Sequence, residues 1–377
     1  MESKPLKKIL FLVSEDWFFV MHRLSLAQAF IQNGYQVTLV AKPGSGSSLD
    51  KIAESGIEFI PFPFERKSLN PITEIYRLYK LKNLIRRIEP DCIFSVTLKM
   101  SLTISILSGC LGQVKIFGLI TGLGYLFSAN TFAIRAIRYF FSRIGRMFLS
   151  RIFLIFENPD DRRLFLDRRL AKEEASAVVP GTGVDLSEFR WSPIPSYPPF
   201  RILYSGRLLR EKGILEMEEA FQVFRKKYPQ SELHIIGKLD PGNPGSLTTR
   251  DLERWESTEG IVYHGFQSQV LEFYQSCHCF CLLSYYREGL PVSALEAGSV
   301  GRPLVLTDTV GCREAVKPGK NGFLVPLGNR EEVVKAWTQL IESPGMCQEM
   351  GKQSRIYMEE RFDRKKINAI ILKLVSG

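Results

Sequence analysis

Long apolar runs are missing from this sequence. A membrane-spanning helix needs about 18 uninterrupted apolar residues. The nearest candidate, MSLTISILSGCLGQVKIFGLI at 100–120, is broken by Gly, Gln and Lys. Contact with a membrane is therefore expected to be peripheral. A leader is not read either. The start MESKPLKKILFLVSEDWFFV is basic, but Glu15 and Asp16 interrupt its short apolar run and no small-residue cleavage site follows, so a first strand is expected there. Cysteine is sparse and odd in number, seven in all, which without a leader points to reduced thiols in a cytoplasm. C-x2-C knuckles are absent. Cys277, Cys279 and Cys281 alternate within the apolar run CHCFCLLS, the spacing of one face of a strand, and are expected to be buried structural residues with no metal. The loop after the first strand also lacks G-x-G-x-x-G, which argues against a dinucleotide oxidoreductase.

What is present describes a soluble globular protein of two domains. At 377 residues the chain exceeds one typical core. Its 45% hydrophobic and 24% charged residues exclude a disordered chain. A formal charge of +10 suits nucleic acid, an anionic membrane or phosphorylated ligands, and does not choose among them. KKILFLV, the helix-periodic HRLSLAQAFIQNG and YQVTLVAK form a βαβ pattern, and GIEFIPF and PDCIFSV continue it. WSPIPSYPPF carries four prolines in ten residues and is expected to connect two domains. FRILYSG, SELHIIG, IVYHGF, CHCFCLLS and RPLVLTD then repeat the alternation. The reading is two doubly wound α/β domains, 1–190 and 191–360. A C-terminal amphipathic helix over 361–377, with Ile367, Ile370, Ile371 and Leu374 on one side, can pack back on the first domain.

In such sheets ligands bind beyond the carboxyl ends of the strands, so the residues there carry the chemistry. In YSGRLLREKGILE a strand ends at Gly206, Arg207 and Lys212 project nearby, and Gly213 opens a helix. Amides at a helix start and cationic side chains suit a diphosphate, although a basic surface turn has the same pattern. In SYYREGLPVSALEAGSVGRPLVLTD, Glu288 and Glu296 flank Gly289, Leu290 and Pro291. Pro291 suits the first turn of a helix, leaving Glu288 in the preceding loop and Glu296 about one and a half turns inside. Both carboxylates can accept hydrogen bonds from sugar hydroxyls, and the glycine lets a ligand approach the backbone. Solvated glutamates at a helix start give the same pattern.

GRLLREKG followed by the E-x7-E stretch EGLPVSALE resembles the retaining glycosyltransferases of family 4, which have the GT-B fold of two Rossmann-like domains facing a central cleft. The resemblance runs nearly end to end. FLIFENPDDRRLF, VVPGTGVDLSEF, GKLDPGNPGSL, VGCREAVKPGKNGFLV and GFLVPLGN are similar to the branch that builds lipid-linked bacterial oligosaccharides and surface polysaccharides. The resemblance implies a UDP-sugar donor held by the second domain, with no other cofactor and no metal. Arg207 and Lys212 would stabilise the leaving diphosphate, Glu288 would hold sugar hydroxyls, and Glu296 the ribose. Gly289 and Leu290 would add backbone contacts, and Gly265 and Phe266 would border the nucleobase. It further implies a polyprenyl-diphosphate-linked acceptor and no nucleic-acid partner.

The first domain departs from the family. Many members carry a histidine after the strand that here reads VKIFGLITGLGYLF, and none stands there; Thr121, Gly122, Leu123 and Gly124 occupy the place. The loop SEDWFFVMHRL offers His22 and Arg23 instead, His22 serving either the acceptor or a helix start. Between 131 and 156 there is no acidic residue, while Arg135, Arg138, Arg143, Arg146 and Arg151 are present. At ~100° per residue the first four share a broad face, with Ile137, Phe140, Phe141, Ile144 and Phe148 opposite. Such a helix either lies in the anionic interface of the inner membrane face, or turns its aromatic side into the core and its arginines into water. Three other readings stay open: a transferase with a soluble or lipopolysaccharide-core acceptor, a UDP-sugar epimerase of the same fold, and a non-catalytic sugar-nucleotide or membrane-binding subunit.

Overall fold

Buried on both faces, a parallel strand needs an unbroken apolar run, and Ile9–Val13 supplies one at the centre of β1 (Lys7–Glu15). The computed structural model describes residues 7–44, 46–65, 71–124, 127 and 132–377. The chain divides into two units, Met1–Thr182 with Lys366–Gly377, and Gly183–Lys365.

The first unit is built on a seven-stranded parallel sheet of β1, β2 (Tyr35–Lys42), β3 (Glu58–Pro61), β4 (Cys92–Val96), β5 (Lys115–Ile120), β6 (Phe153–Phe156) and β7 (Ser176–Val178). Their order is β3-β2-β1-β4-β5-β6-β7. The described helices are α1 (Asp16–His22), α2 (Leu24–Gln32), α3 (Ser47–Glu54), α4 (Pro71–Ile88), α5 (Leu98–Leu107), α6 (Phe132–Phe148) and α7 (Pro159–Asp167). Two apolar cores lie in this unit. In one, Phe11 and Phe94 of the strands meet Phe19 of α1 and Phe30 of α2. In the other, Leu10 and Leu12 meet Leu81 and Ile85 of α4 with Met100 and Ile104 of α5.

The second unit repeats the order as β10-β9-β8-β11-β12-β13. Its strands are β8 (Arg201–Ser205), β9 (Glu232–Ile236), β10 (Ile261–Tyr263), β11 (Cys279–Leu282), β12 (Leu304–Thr307) and β13 (Gly322–Val325). Around them run α8 (Ile214–Lys227), α9 (Thr249–Ser257), α10 (Leu271–Ser276), α11 (Val292–Val300), α12 (Arg330–Glu342) and α13 (Pro344–Arg361). The last helix, α14 (Arg364–Ser376), returns the chain to the first unit, where Ile367, Ile371 and Val375 enter the core of Phe11.

Several expectations need correction. The seam falls at Gly183 and not after residue 190. Val184 bonds through its backbone to Phe362 and Arg364, at 2.8 and 3.0 Å, and Phe189 is part of the apolar core of the second unit. The proline-rich segment is accordingly not a free connection. Ser192 N donates to Val300 O at 3.1 Å, and the fully buried guanidinium of Arg302 donates to the carbonyls of Ser192 and Pro193. The loop expected after β1 contains a short helix, α1, because Phe19 buries its ring against Phe11 at 5.6 Å. The apolar side of α6 does not all face inward: Phe141 packs on the core of Leu10, whereas Ile137, Phe140 and Ile144 are exposed at 46, 64 and 41%. Cys277, Cys279 and Cys281 are buried. Burial pushes the Cys277 thiol up to about 12 and the other two well above their usual range, so none of them is a reactive thiolate.

Candidate functional site

A doubly wound sheet opens where consecutive strands depart in opposite directions. In the second unit that point lies between β8 and β11. The two motifs read from the sequence follow these two strands.

After β8 the chain turns sharply. The Tyr204 hydroxyl donates to Arg207 O at 2.7 Å, Arg210–Lys212 form one 3-10 turn, and Gly213 at φ +70° starts α8. A Cβ on Gly213 would stand 2.1 Å from Leu283 O. Only glycine permits this approach, which brings Lys212 against the loop that leaves β11. That loop is tied back: the amides of Tyr285 and Tyr286 donate to Glu211 O at 3.0 and 3.2 Å.

Across this junction Lys212 and Glu288 form an ion pair, with side chains only 13 and 12% exposed. The Ser284 hydroxyl donates to the same Glu288 carboxylate at 2.9 Å. Ser284 is itself fixed, because the Thr309 hydroxyl donates to its carbonyl at 2.9 Å and Thr307 donates to the same oxygen. Gly311 closes the seat from behind. At φ +83°, its Cβ would lie 2.5 Å from Gly289 O and 2.6 Å from Glu288 O. Leu290 is buried beside them.

Arg207 stands apart from this pair. Its guanidinium is 46% exposed and meets Asp240 at 3.2 Å. Glu296 is on α11, and Pro291 precedes the first helical residue and does not occupy the first turn. The buried Tyr274 hydroxyl donates to Glu296 at 2.8 Å. Burial disfavours the charged carboxylate, so the Glu296 pKa is pushed up to about 7. Gly265, at φ +68°, accepts from Gly237 N at 2.9 Å. The neighbouring Phe266 ring is 59% exposed, with the Lys238 ammonium 4.9 Å from its centroid.

The remaining predicted residues belong to the first unit. His22 ends α1, half-buried, its ring 4.6 Å from that of Phe18. Arg23 forms a buried ion pair with Glu157 at 2.8 Å. Gly122, at φ +98°, follows β5.

The structure thus joins Lys212 to Glu288 and sets Gly289 and Leu290 beside them, while Arg207 and Glu296 have their own partners, Asp240 and Tyr274. Sequence reasoning missed Asp240, Tyr274, Ser284 and Gly311. Gly311 was legible only as one more glycine, since its partner is a backbone 20-odd residues upstream. Among the described residues no group of three or more His, Cys, Asp or Glu side chains could hold a metal ion. No helix among them is long and apolar enough to cross a membrane.

Comparison with known proteins covers both halves. Residues 8–157 match the family described as Glycosyl transferase 4-like, and residues 188–357 match Glycosyl transferases group 1. The chain is similar to the N,N'-diacetylbacillosaminyl-diphospho-undecaprenol alpha-1,3-N-acetylgalactosaminyltransferase of Campylobacter jejuni, with 25% identity over 81% of this chain and 82% of that protein. It shares its fold with the sucrose-phosphate synthase of Thermosynechococcus elongatus, TM-score 0.78 and 17% identity over 98% of each chain. The same holds for HepE of Anabaena in complex with UDP and glucose, TM-score 0.77 and 17% identity over 99% of this chain and 100% of that one. With parallel sheets ordered 3-2-1-4-5-6-7 and 3-2-1-4-5-6 and a match in each half, the chain belongs to the family 4 glycosyltransferases of GT-B fold.

Proposed function

We propose that this glycosyltransferase moves a hexose-type sugar from a UDP-sugar to a polyprenyl-diphosphate-linked saccharide in bacterial glycan assembly, with retention of anomeric configuration. The observation that carries the reading is the Lys212–Glu288 pair at the switch point of the second unit. Two comparisons support it: the Campylobacter relative is named for a diphospho-undecaprenol substrate, and HepE, of the same fold, was solved with UDP and glucose.

In this proposal the donor diphosphate meets Lys212 and Arg207. Departure of the nucleotide places negative charge on the leaving phosphate. Positive groups already fixed there lower the barrier without a metal ion. Glu288 accepts hydrogen bonds from donor-sugar hydroxyls, and the amides of Gly289 and Leu290 add donors toward the sugar or phosphate. Glu296 takes the ribose hydroxyls, and Gly265 with the exposed Phe266 ring borders the base. Attack occurs from the face the nucleotide leaves. His22 and the backbone at Gly122 serve the acceptor in the first unit. The protein works on the cytoplasmic side of the inner membrane, with α6 in the lipid interface.

The test is purified protein with a panel of UDP-sugars and lipid-diphosphate saccharides, read by mass spectrometry. An acceptor heavier by one sugar residue supports the proposal. A changed UDP-sugar with no acceptor product identifies an epimerase, and no turnover at all leaves a binding subunit.

A further inference from the structure

Among the described residues, nearly half of the exposed large apolar side chains sit on two helices of the first unit, α4 and α6. Both helices contact α5. Leu81 and Ile85 of α4 and Phe141 of α6 point into the same core beneath, so the opposite sides of both helices face outward from one layer.

On α4 those outer positions are Ile75, Tyr76 and Tyr79, exposed at 66, 57 and 61%. At ~100° per residue they span an arc of about 100°. Lys80, Arg86 and Arg87, all exposed, border or extend the same arc, and the Lys80 ammonium lies 4.5 Å from the Tyr76 ring centroid. The acidic residue of the helix, Glu74, is paired with Arg77. On α6, Ile137, Phe140, Ile144 and Met147 form a comparable stripe, with exposed Arg135, Arg143 and Arg146 along one side and no acidic residue.

We infer that α4 and α6 together form one docking surface for an anionic lipid bilayer, with α4 as a second insertion element beside the arginine helix. Isoleucine and aromatic side chains enter the boundary between headgroups and acyl chains, and the flanking cations meet lipid phosphates. Charge selects this occupant over a second copy of the chain. An isologous contact would set these arginines and lysines against themselves. For α6 the inference rests on the membrane part of the proposed function; for α4 it goes beyond it.

The test is flotation of the full chain with phosphatidylcholine vesicles, with and without roughly 30% phosphatidylglycerol, at about 0.1 M salt. Wild type is expected on the anionic vesicles only. Ile75→Glu with Tyr79→Glu, and separately Phe140→Glu with Ile144→Glu, should each weaken partitioning at least about tenfold with an unchanged melting temperature. If the first pair disturbs folding, Arg86→Glu with Arg87→Glu probes the same helix. Wild-type partitioning by a folded α4 variant overturns the inference, as does no preference for anionic lipid. So does a wild-type dimer in sedimentation that the α4 substitutions convert to monomer. The assay contains neither donor nor acceptor, so the transferase reading stands or falls separately.

Discussion

Lys212 and Glu288, 76 residues apart, meet as an ion pair because Gly213 lies against Leu283 and draws the β8 loop onto the β11 loop. Each charge is mostly buried, so each depends on the other until a ligand replaces it. In the proposed reaction the donor does so, its phosphates meeting Lys212 and its hydroxyls Glu288.

Removing either partner should therefore abolish turnover more than it harms the fold. Glu288→Ala or Lys212→Ala is expected to lower kcat at least about 100-fold. Each should cost about 1–3 kcal/mol in urea unfolding, from the partner left uncompensated. Lys212→Met combined with Glu288→Leu should regain most of that stability and none of the activity. A folded single variant with wild-type kcat would remove the pair from the mechanism.

The glycine contact makes a second prediction. Gly213→Ala forces a Cβ into the Leu283 carbonyl at a positive φ, and should destabilise the protein by at least about 2 kcal/mol and weaken UDP binding. Gly319→Ala is the control. Gly319 has φ +73° with nothing within 4 Å of the added carbon, so only the backbone preference, about 1 kcal/mol, is lost. Thermal melts and calorimetric UDP titration should separate the two variants.

Donor affinity should depend on pH through Glu296. Its carboxyl titrates near 7 when folded, against an ordinary value of 4.5. Between those values the folded protein holds a proton that the unfolded chain has released. Its contribution to stability is thus full below about 4.5 and is lost as pH rises to about 7. If Glu296 takes the ribose as proposed, binding runs the other way, because hydroxyls bond best to the ionised carboxylate. A UDP-sugar, whose diphosphate has no second ionisation in this range, should bind more tightly as pH rises from about 6 to 8, by up to tenfold per unit below the pKa. In Glu296→Gln both slopes should flatten.

In the proposed reaction His22 serves the acceptor. His22→Ala should reduce transfer at least about tenfold while leaving the donor Kd within about twofold. An equal fall in donor affinity would place its effect elsewhere.

Much of the second unit was legible in the sequence, because its strands are short apolar runs and the residues after β8 and β11 are close to them in sequence. Lys212, Glu288, Gly289 and Leu290 emerged this way. What escaped depends on contacts between distant segments. Ser284 looks like an ordinary loop residue until its hydroxyl is seen on Glu288, and Tyr274 like an apolar helix residue until its hydroxyl is seen on Glu296. Prolines in 193–199 read as a linker, since composition does not reveal that buried Arg302 holds Ser192 and Pro193. The periodicity of α6 showed a basic side and an apolar side, but only packing decides that Phe141 is covered and Phe140 exposed.

In the proposed reaction a UDP-sugar is the donor and Lys212 stabilises the departing diphosphate. Single-turnover transfer from a radiolabelled UDP-sugar to a lipid-diphosphate saccharide, wild type against Lys212→Ala at saturating donor, tests it most directly. Labelled lipid is expected from wild type, with a chemical step at least about 100-fold slower in the variant. Equal rates in the two folded proteins would contradict it.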